Sequence, residues 1–265
     1  MKQAMVFAAG LGTRLRPLTD TMPKALVPVA GKPLLWHVLN KLSAAGYERV
    51  VVNVHHFAQQ IVDYLAVNDF GMDVRISDES EQLLETGGGV KHARPLFSDD
   101  SPVLIHNVDI LSNVDFGWLA RQHEADEDAL LLVSRRKTKR YLLFDNAMRL
   151  MGWQNVETGE VKSPFPWLRE SELTIDDELK VHAQPHSQLS IHNYHQLNAF
   201  AFSGIHSFSP RLFPLMDRFP DRFSIIVFYL STCHRARIVG CMKNDLKLLD
   251  VGKLDTLTAA EEFTI

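Results

Sequence analysis

Residues 7–26 read FAAGLGTRLRPLTDTMPKAL, and the rest of the chain is best read outward from them. An apolar run, Met5 to Ala9, reads as a buried strand. It stops at Gly10 and Gly12, which permit a tight turn with exposed backbone N–H groups. Arg14, Arg16 and Lys24 follow, with Pro17 and Pro23 stiffening the loop between them. A glycine turn beside fixed cations suits a polyphosphate: the backbone approaches closely, the donors are oriented and the charge is opposite. Two further apolar segments end in carboxylates, IHNVDIL at residues 105–111 and LLDVGKLDTL at residues 248–257. They offer oxygen ligands for a metal that accompanies such an anion.

Beyond this stretch the first half alternates strand and helix patterns. Strands are expected at 49–54, 73–77, 102–107 and 129–134, and helices at 33–45, 58–66, 89–96 and 116–123. Leu34, Leu35, Val38, Leu39 and Leu42 repeat at helical spacing, and Gly46 supplies the stop. Such alternation predicts an α/β fold: a Rossmann-like, mostly parallel mixed sheet flanked by helices. In such sheets, sites form beyond the carboxyl ends of strands, where the Gly10 turn and Asp109 both fall. From Tyr141 the rhythm changes to a hairpin turning at Asp145-Asn146. A polar, irregular stretch is expected over about 154–196, an insertion or lid within a single domain spanning 1–265. A strand at 196–207, a helix near 210–217, a helix or strand at 224–233, a strand at 237–241 and a terminal helix complete the reading.

Composition removes several classes. The 28 basic and 32 acidic residues leave a net charge of -4, whereas a general nucleic-acid binder shows a basic excess. Cys233 and Cys241 are spaced too widely for a CxxC pair, so neither a disulfide framework nor a zinc ribbon follows. No apolar run reaches about 18 residues, so no membrane span is expected. Met1 leads almost directly into the first strand without room for a signal peptide, and a soluble cytoplasmic protein is the expectation. Oligomeric state is not readable.

The glycine turn is neither of the two common phosphate loops. The third glycine of GxGxxG falls at Leu15, and no Gly-Lys-Ser/Thr follows as in a Walker loop. The stretch instead resembles the signature of the sugar-1-phosphate nucleotidyltransferases at Gly10 to Arg14 and Pro23-Lys24. The resemblance continues in order through ETGGG at 85–89, NVD at 107–109, FSGI at 202–205 and DVG at 250–252. Within that family the chain looks most like the N-acetylmuramate-1-phosphate uridylyltransferases, with mannose- and heptose-1-phosphate guanylyltransferases as relatives.

The resemblance implies attack by a sugar-1-phosphate oxygen on the α-phosphorus of a nucleoside triphosphate, with pyrophosphate leaving. A phosphate monoester is already anionic near neutral pH, so no general base is required. It implies the nucleotide-diphospho-sugar transferase type of sheet, with Arg14 on the β- and γ-phosphates and Lys24 on the α-phosphate or the sugar phosphate. Leu11, Gly12 and Thr13 would bind the triphosphate through backbone N–H groups. Gly87, Gly88 and Gly89, with Glu85 nearby, would lie against the base, and Asn107 near the ribose or the metal. Asp109 and Asp250 would hold Mg2+. Weaker acceptor-sugar candidates are Arg140, Trp153, Asn198 and Gly204.

The chain departs from the family at Val108, where Gly or Pro often precedes the metal aspartate, and it lacks the Glu-Lys-Pro acceptor motif. UTP with N-acetylmuramate-1-phosphate is the first expectation, and GTP with mannose- or heptose-1-phosphate the second. A non-catalytic nucleotide-sugar-binding subunit would usually lose a metal carboxylate or the phosphate lysine, and both are present. A glycosyltransferase would want Asp-x-Asp where this chain has Asn107-Val108-Asp109. His182, His186, His192 and His195 read as a solvated loop rather than a metal set, and the basic run 135–140 as a solvated strand end.

Overall fold

The computed structural model describes residues 1–185 and 196–263. Four parallel strands form its first half, in spatial order Asp73–Asp78, Arg49–Val54, Gln3–Phe7 and Val103–Asn107. The long strand Leu197–Phe208 then pairs antiparallel with Val103–Asn107 on one side and with Ala129–Ser134 on the other. Ile238–Met242 closes that side, parallel to Ala129–Ser134. The sheet is thus mixed and mostly parallel, as the alternating pattern predicts.

Period-two alternation decides which side chains go where. Met5, Val51, Val103 and Ile105 face one buried layer, and Ala4, Val6, Val50, Val52 and Leu104 face the other. Both faces are covered, so Gln3–Phe7, Arg49–Val54 and Val103–Asn107 carry apolar side chains on both faces, with few polar exceptions. Helix Leu34–Ala44 covers the second layer with Leu34, Leu35, Val38, Leu39 and Leu42, all at most 3% exposed. Each buried leucine contributes roughly 1.5–3 kcal/mol.

Three differences from the sequence reading matter. First, helix Glu85–Ala93 starts four residues before the expected Gly89, so the whole ETGGG segment lies within it. Second, residues 154–185 are ordered rather than irregular. Ser171–Ile175 and Lys180–Pro185 form a hairpin that joins Leu197–Phe208 through Lys180 and Val181. Third, Ile110–Ser112 and Leu248–Asp250 pair as a separate antiparallel ribbon that the sequence did not suggest. Of the four histidines, His186, His192 and His195 lie outside the described residues, and His182 bonds Asp176 at 2.8 Å. Segment 224–233 resolves as helix Ile225–Thr232, capped by Ser224. Both cysteines are free thiols. Among the described residues no helix is long and apolar enough to cross a membrane.

Candidate active site

Three adjacent parallel strands end level with one another: Asn53, Phe7 and Asn107 are partners in register. The chain leaves Phe7 into the glycine turn, and Asn53 holds its start, its Oδ1 accepting from the N–H of Ala8 at 2.7 Å and of Ala9 at 3.3 Å. The Asn53 amide then donates to Glu79 Oε1 at 2.7 Å, and Glu79 Oε2 accepts from the Leu84 N–H at 3.1 Å. This buried Asn–Glu pair ties the glycine turn to the entry of helix Glu85–Ala93. The reading of single motifs missed both residues. A polar Asn inside the apolar run VVVNV was the available signal.

Gly12 has φ +62°, and its carbonyl accepts from the Leu15 N–H and the Thr19 hydroxyl, both at 2.8 Å. A Cβ here would stand 2.8 Å from Thr19 Cγ2 and 3.1 Å from Lys24 Cβ. Glycine is therefore required twice, for the left-handed backbone and for the close approach. Leu11, Thr13 and Arg14 are all exposed on this turn.

The antiparallel ribbon brings the two distant carboxylates together. Asp109 directly precedes Ile110–Ser112, Asp250 is the register partner of Ile110, and the Val251 N–H donates to the Asp109 carbonyl at 2.8 Å. Lys24, nearly buried, makes an ion pair and a hydrogen bond with Asp109 Oδ2. Arg14 comes to the same place: a Cβ at Gly252 would stand 2.6 Å from Asp250 Oδ1 and 2.7 Å from Arg14 Nη2. Burial raises the Asp250 pKa above the usual carboxylate range, and the Asp109 charge adds to it. Lys24, Arg14 and Arg136 oppose that shift without cancelling it.

Two carboxylates on neighbouring strands, one of them penalised for ionising, fit a divalent cation. A hard ion accepts this oxygen set and completes its shell with phosphate oxygens and water. Among the described residues no group of three or more His, Cys, Asp or Glu side chains gathers as a metal cage. A two-carboxylate site that shares its ion with a polyphosphate needs none.

The ETGGG glycines pack closely against distant parts of the chain. The N–H groups of Gly87 and Gly88 donate to the Phe223 carbonyl at 2.8 and 3.1 Å, so they are taken. A Cβ would stand 2.4 Å from the Phe223 ring at Gly87, 2.0 Å from the Asp221 carbonyl oxygen at Gly88 and 2.7 Å from Glu79 Oε1 at Gly89. They let the helix pack against the 221–223 loop and the Asn53–Glu79 pair. Glu85, at φ +62°, pairs with Arg222 at 3.1 Å.

The acceptor candidates separate. Gly204, at φ +78°, packs where a Cβ would meet Asn107 Nδ2 at 2.8 Å, so it borders the strand ends of the site. Asn198 lies six residues away along the same strand, roughly 20 Å at the usual rise, and bonds Lys180 Nζ at 2.6 Å. Trp153 lies on strand Leu150–Asn155 opposite Leu142, with Lys162 Nζ 5.0 Å from its ring centroid. Arg140 begins strand Arg140–Phe144, exposed, opposite Asn155. The structure does not bring Asn198 to the paired aspartates.

A family model described as nucleotidyl transferase matches residues 3–142. That span holds the glycine turn, Lys24 and Asp109, and leaves Asp250 outside it. N-acetylmuramate alpha-1-phosphate uridylyltransferase of Caulobacter vibrioides is 54% identical over 111 residues, 41% of this chain and 46% of that protein. Mannose-1-phosphate guanyltransferase of Neurospora crassa is 36% identical over 144 residues, 52% of this chain and 39% of that protein. The chain thus spans about half the length, or less, of these curated relatives. Among solved structures, HddC from Yersinia pseudotuberculosis superposes over 99% of both chains with TM-score 0.65 and 22% identity. UDP-glucose pyrophosphorylase complexed with UDP-glucose superposes over 99% of this chain and 98% of that one, with TM-score 0.69 and 16% identity. At these identities the structural likeness concerns the fold.

Proposed function

The chain belongs to the nucleotidyl transferase family, and from that premise we propose that it joins a nucleoside triphosphate to a sugar-1-phosphate, releasing pyrophosphate. The observation that carries this reading is the meeting of Asp109, Asp250, Lys24 and Arg14 beside the glycine turn. UTP with N-acetylmuramate-1-phosphate is the favoured pair, supported by the 54% identity to the Caulobacter uridylyltransferase. GTP with a mannose- or heptose-1-phosphate is the second reading, supported by the guanyltransferase relatives. We propose a single domain over residues 1–265, with an insertion or lid at about 154–196.

The chemistry follows from the residues. The backbone of Leu11 to Thr13 cradles the triphosphate, and Arg14 steadies the departing pyrophosphate. In the free protein Lys24 is neutralised by Asp109. When substrates enter, its ammonium turns to the phosphates and holds two anions side by side. The acceptor phosphate brings its own negative oxygen, so positioning and charge neutralisation supply the rate. Mg2+ held by Asp109 and Asp250 would supply Lewis-acid charge neutralisation at the phosphate oxygens. Asn53 and Glu79 act one step back, fixing the turn and the base-side helix entry. Glu85 and the three glycines shape that wall.

The test is a matrix of UTP, GTP, CTP, dTTP and ATP against sugar-1-phosphates, scored by pyrophosphate release. UTP with N-acetylmuramate-1-phosphate is expected to give the highest turnover. Release from GTP with mannose-1-phosphate alone would install the second reading. No release from any pair would leave a nucleotide-sugar-binding subunit.

A further inference from the structure

Strands Ala129–Ser134 and Ile238–Met242 run parallel and end side by side. Beyond their carboxyl ends lies a cavity of about 310 Å3, lined by Ser134, Arg135, Arg136, Lys243, Asn244 and Leu248 among others, with no Asp or Glu among its lining residues. Arg135 donates to the Glu178 carbonyl at 3.3 Å and lies 5.7 Å from the Phe200 ring centroid. Arg136 donates to the Phe202 carbonyl at 3.1 Å. Carbonyls and a ring hold the two guanidinium groups without neutralising them. Lys243 pairs with Asp245, whose side chain is mostly in solvent, and stands 6.0 Å from the Trp118 ring centroid. Among the described residues Ser134 Oγ, shut off from solvent, has no hydrogen-bond partner. This is a concave, cationic place with spare donors.

Its position ties it to the site above. Ala129–Ser134 is separated from Val103–Asn107 only by Leu197–Phe208, and the two outer strands run the same way. Two strand spacings put the cavity roughly 10 Å from the end of Asn107. Leu248 of its lining belongs to the strand that carries Asp250, and the Arg136 charge is felt at Asp250.

We infer that this cavity receives a second anionic group of the acceptor, a carboxylate borne on a ring substituent away from the anomeric phosphate. The inference rests on the transferase reading. The acceptor phosphate belongs beside Lys24, so it cannot also reach this cavity. A hexose ring with a short acidic substituent bridges a gap of that order. Planar guanidinium groups suit a carboxylate, which they bind through paired hydrogen bonds. N-acetylmuramate carries such a lactyl carboxylate, whereas N-acetylglucosamine is the same ring without it. A site built to bond a charged group discriminates against the analogue that lacks it.

The experiment compares N-acetylmuramate 1-phosphate with N-acetylglucosamine 1-phosphate, with UTP as donor. Wild type, Arg135→Ala, Arg136→Ala, the double variant and Arg136→Lys are assayed by pyrophosphate release. Where the glucosamine compound is not turned over, it is read as a competitive inhibitor. The preference for the muramate compound is expected to fall at least tenfold in the double variant, through KM rather than kcat, with Arg136→Lys retaining part of it. Partial unfolding lowers both readings together and does not mimic a changed ratio. An unchanged preference in the double variant overturns the inference, as does a wild type that prefers the neutral sugar. A wild type inactive with every acceptor overturns the transferase reading itself, and this inference with it.

Discussion

Asp250 sits where its own charge is disfavoured. Burial and the Asp109 carboxylate raise its pKa, and Lys24, Arg14 and Arg136 answer only in part. A carboxyl whose folded-state pKa lies above its unfolded value loses stability as pH rises through that interval. Replacement by a neutral amide removes the penalty, so Asp250→Asn is expected to raise the thermal midpoint of the metal-free protein at pH 7. An unchanged or lower midpoint would show that the opposing cations win. Lys24 and Asp109 behave differently, because each neutralises the other in a nearly buried pair. Lys24→Ala is expected to cut turnover by about 10²–10³, the usual loss when one preorganised donor is removed. Wild-type rates in that variant would take Lys24 out of the mechanism. Gly12→Ala combines a left-handed φ with a 2.8 Å approach to Thr19. It should destabilise by roughly 1–2 kcal/mol in urea unfolding. A shift below the measurement error would mean the turn relaxes without strain.

Helix Glu85–Ala93 shows how an element can be visible in sequence while its purpose is not. ETGGG stands out as a motif, yet the need for glycine arises from Phe223 and Asp221, far along the chain. Nothing local announces that approach, so the sequence reading gives the glycines only a place against the base. Gly88→Ala tests the packing account, since its Cβ would stand 2.0 Å from the Asp221 carbonyl oxygen. Overpacking of this kind costs about 1–3 kcal/mol. A thermal midpoint equal to wild type would contradict it. The ribbon of Ile110–Ser112 with Leu248–Asp250 was hidden for a related reason. Three-residue strands carry too little alternation to be recognised, and their pairing is non-local. The long apolar elements were legible because their periodicity is dictated by burial on the sheet. Arg49–Val54 and Ala58–Ala66 fall at the expected residues. The hairpin at 171–185 was not legible, because Thr174, Lys180 and His182 make its alternation polar.

Across the whole molecule, the mixed sheet buries polar groups that its surface chemistry does not use. His106 and His206 sit on the adjacent strands Val103–Asn107 and Leu197–Phe208, both fully buried, with burial holding their pKa values down at about 4 and about 3. Folded, they stay neutral where the unfolded chain takes up protons near pH 6.5. Stability should therefore fall as pH drops from about 6.5 toward 4, each histidine adding up to about 1.4 kcal/mol per pH unit. Among the described residues neither ring nitrogen of His206 has a hydrogen-bond partner. His206→Leu should flatten the pH dependence of urea unfolding without lowering stability much at pH 5, and an undiminished slope would assign the effect elsewhere. The ribbon of Ile110–Ser112 with Leu248–Asp250 carries the larger proposal: Asp109 and Asp250, distant in sequence, would act as one cation site beneath a triphosphate. The most direct measurement is the Mg2+ dependence of pyrophosphate release in wild type, Asp109→Asn and Asp250→Asn. The account predicts that chelation silences the wild type, that Mg2+ restores it, and that each variant loses at least about 10²-fold in turnover and needs far more Mg2+. A wild-type magnesium curve in either variant would contradict it.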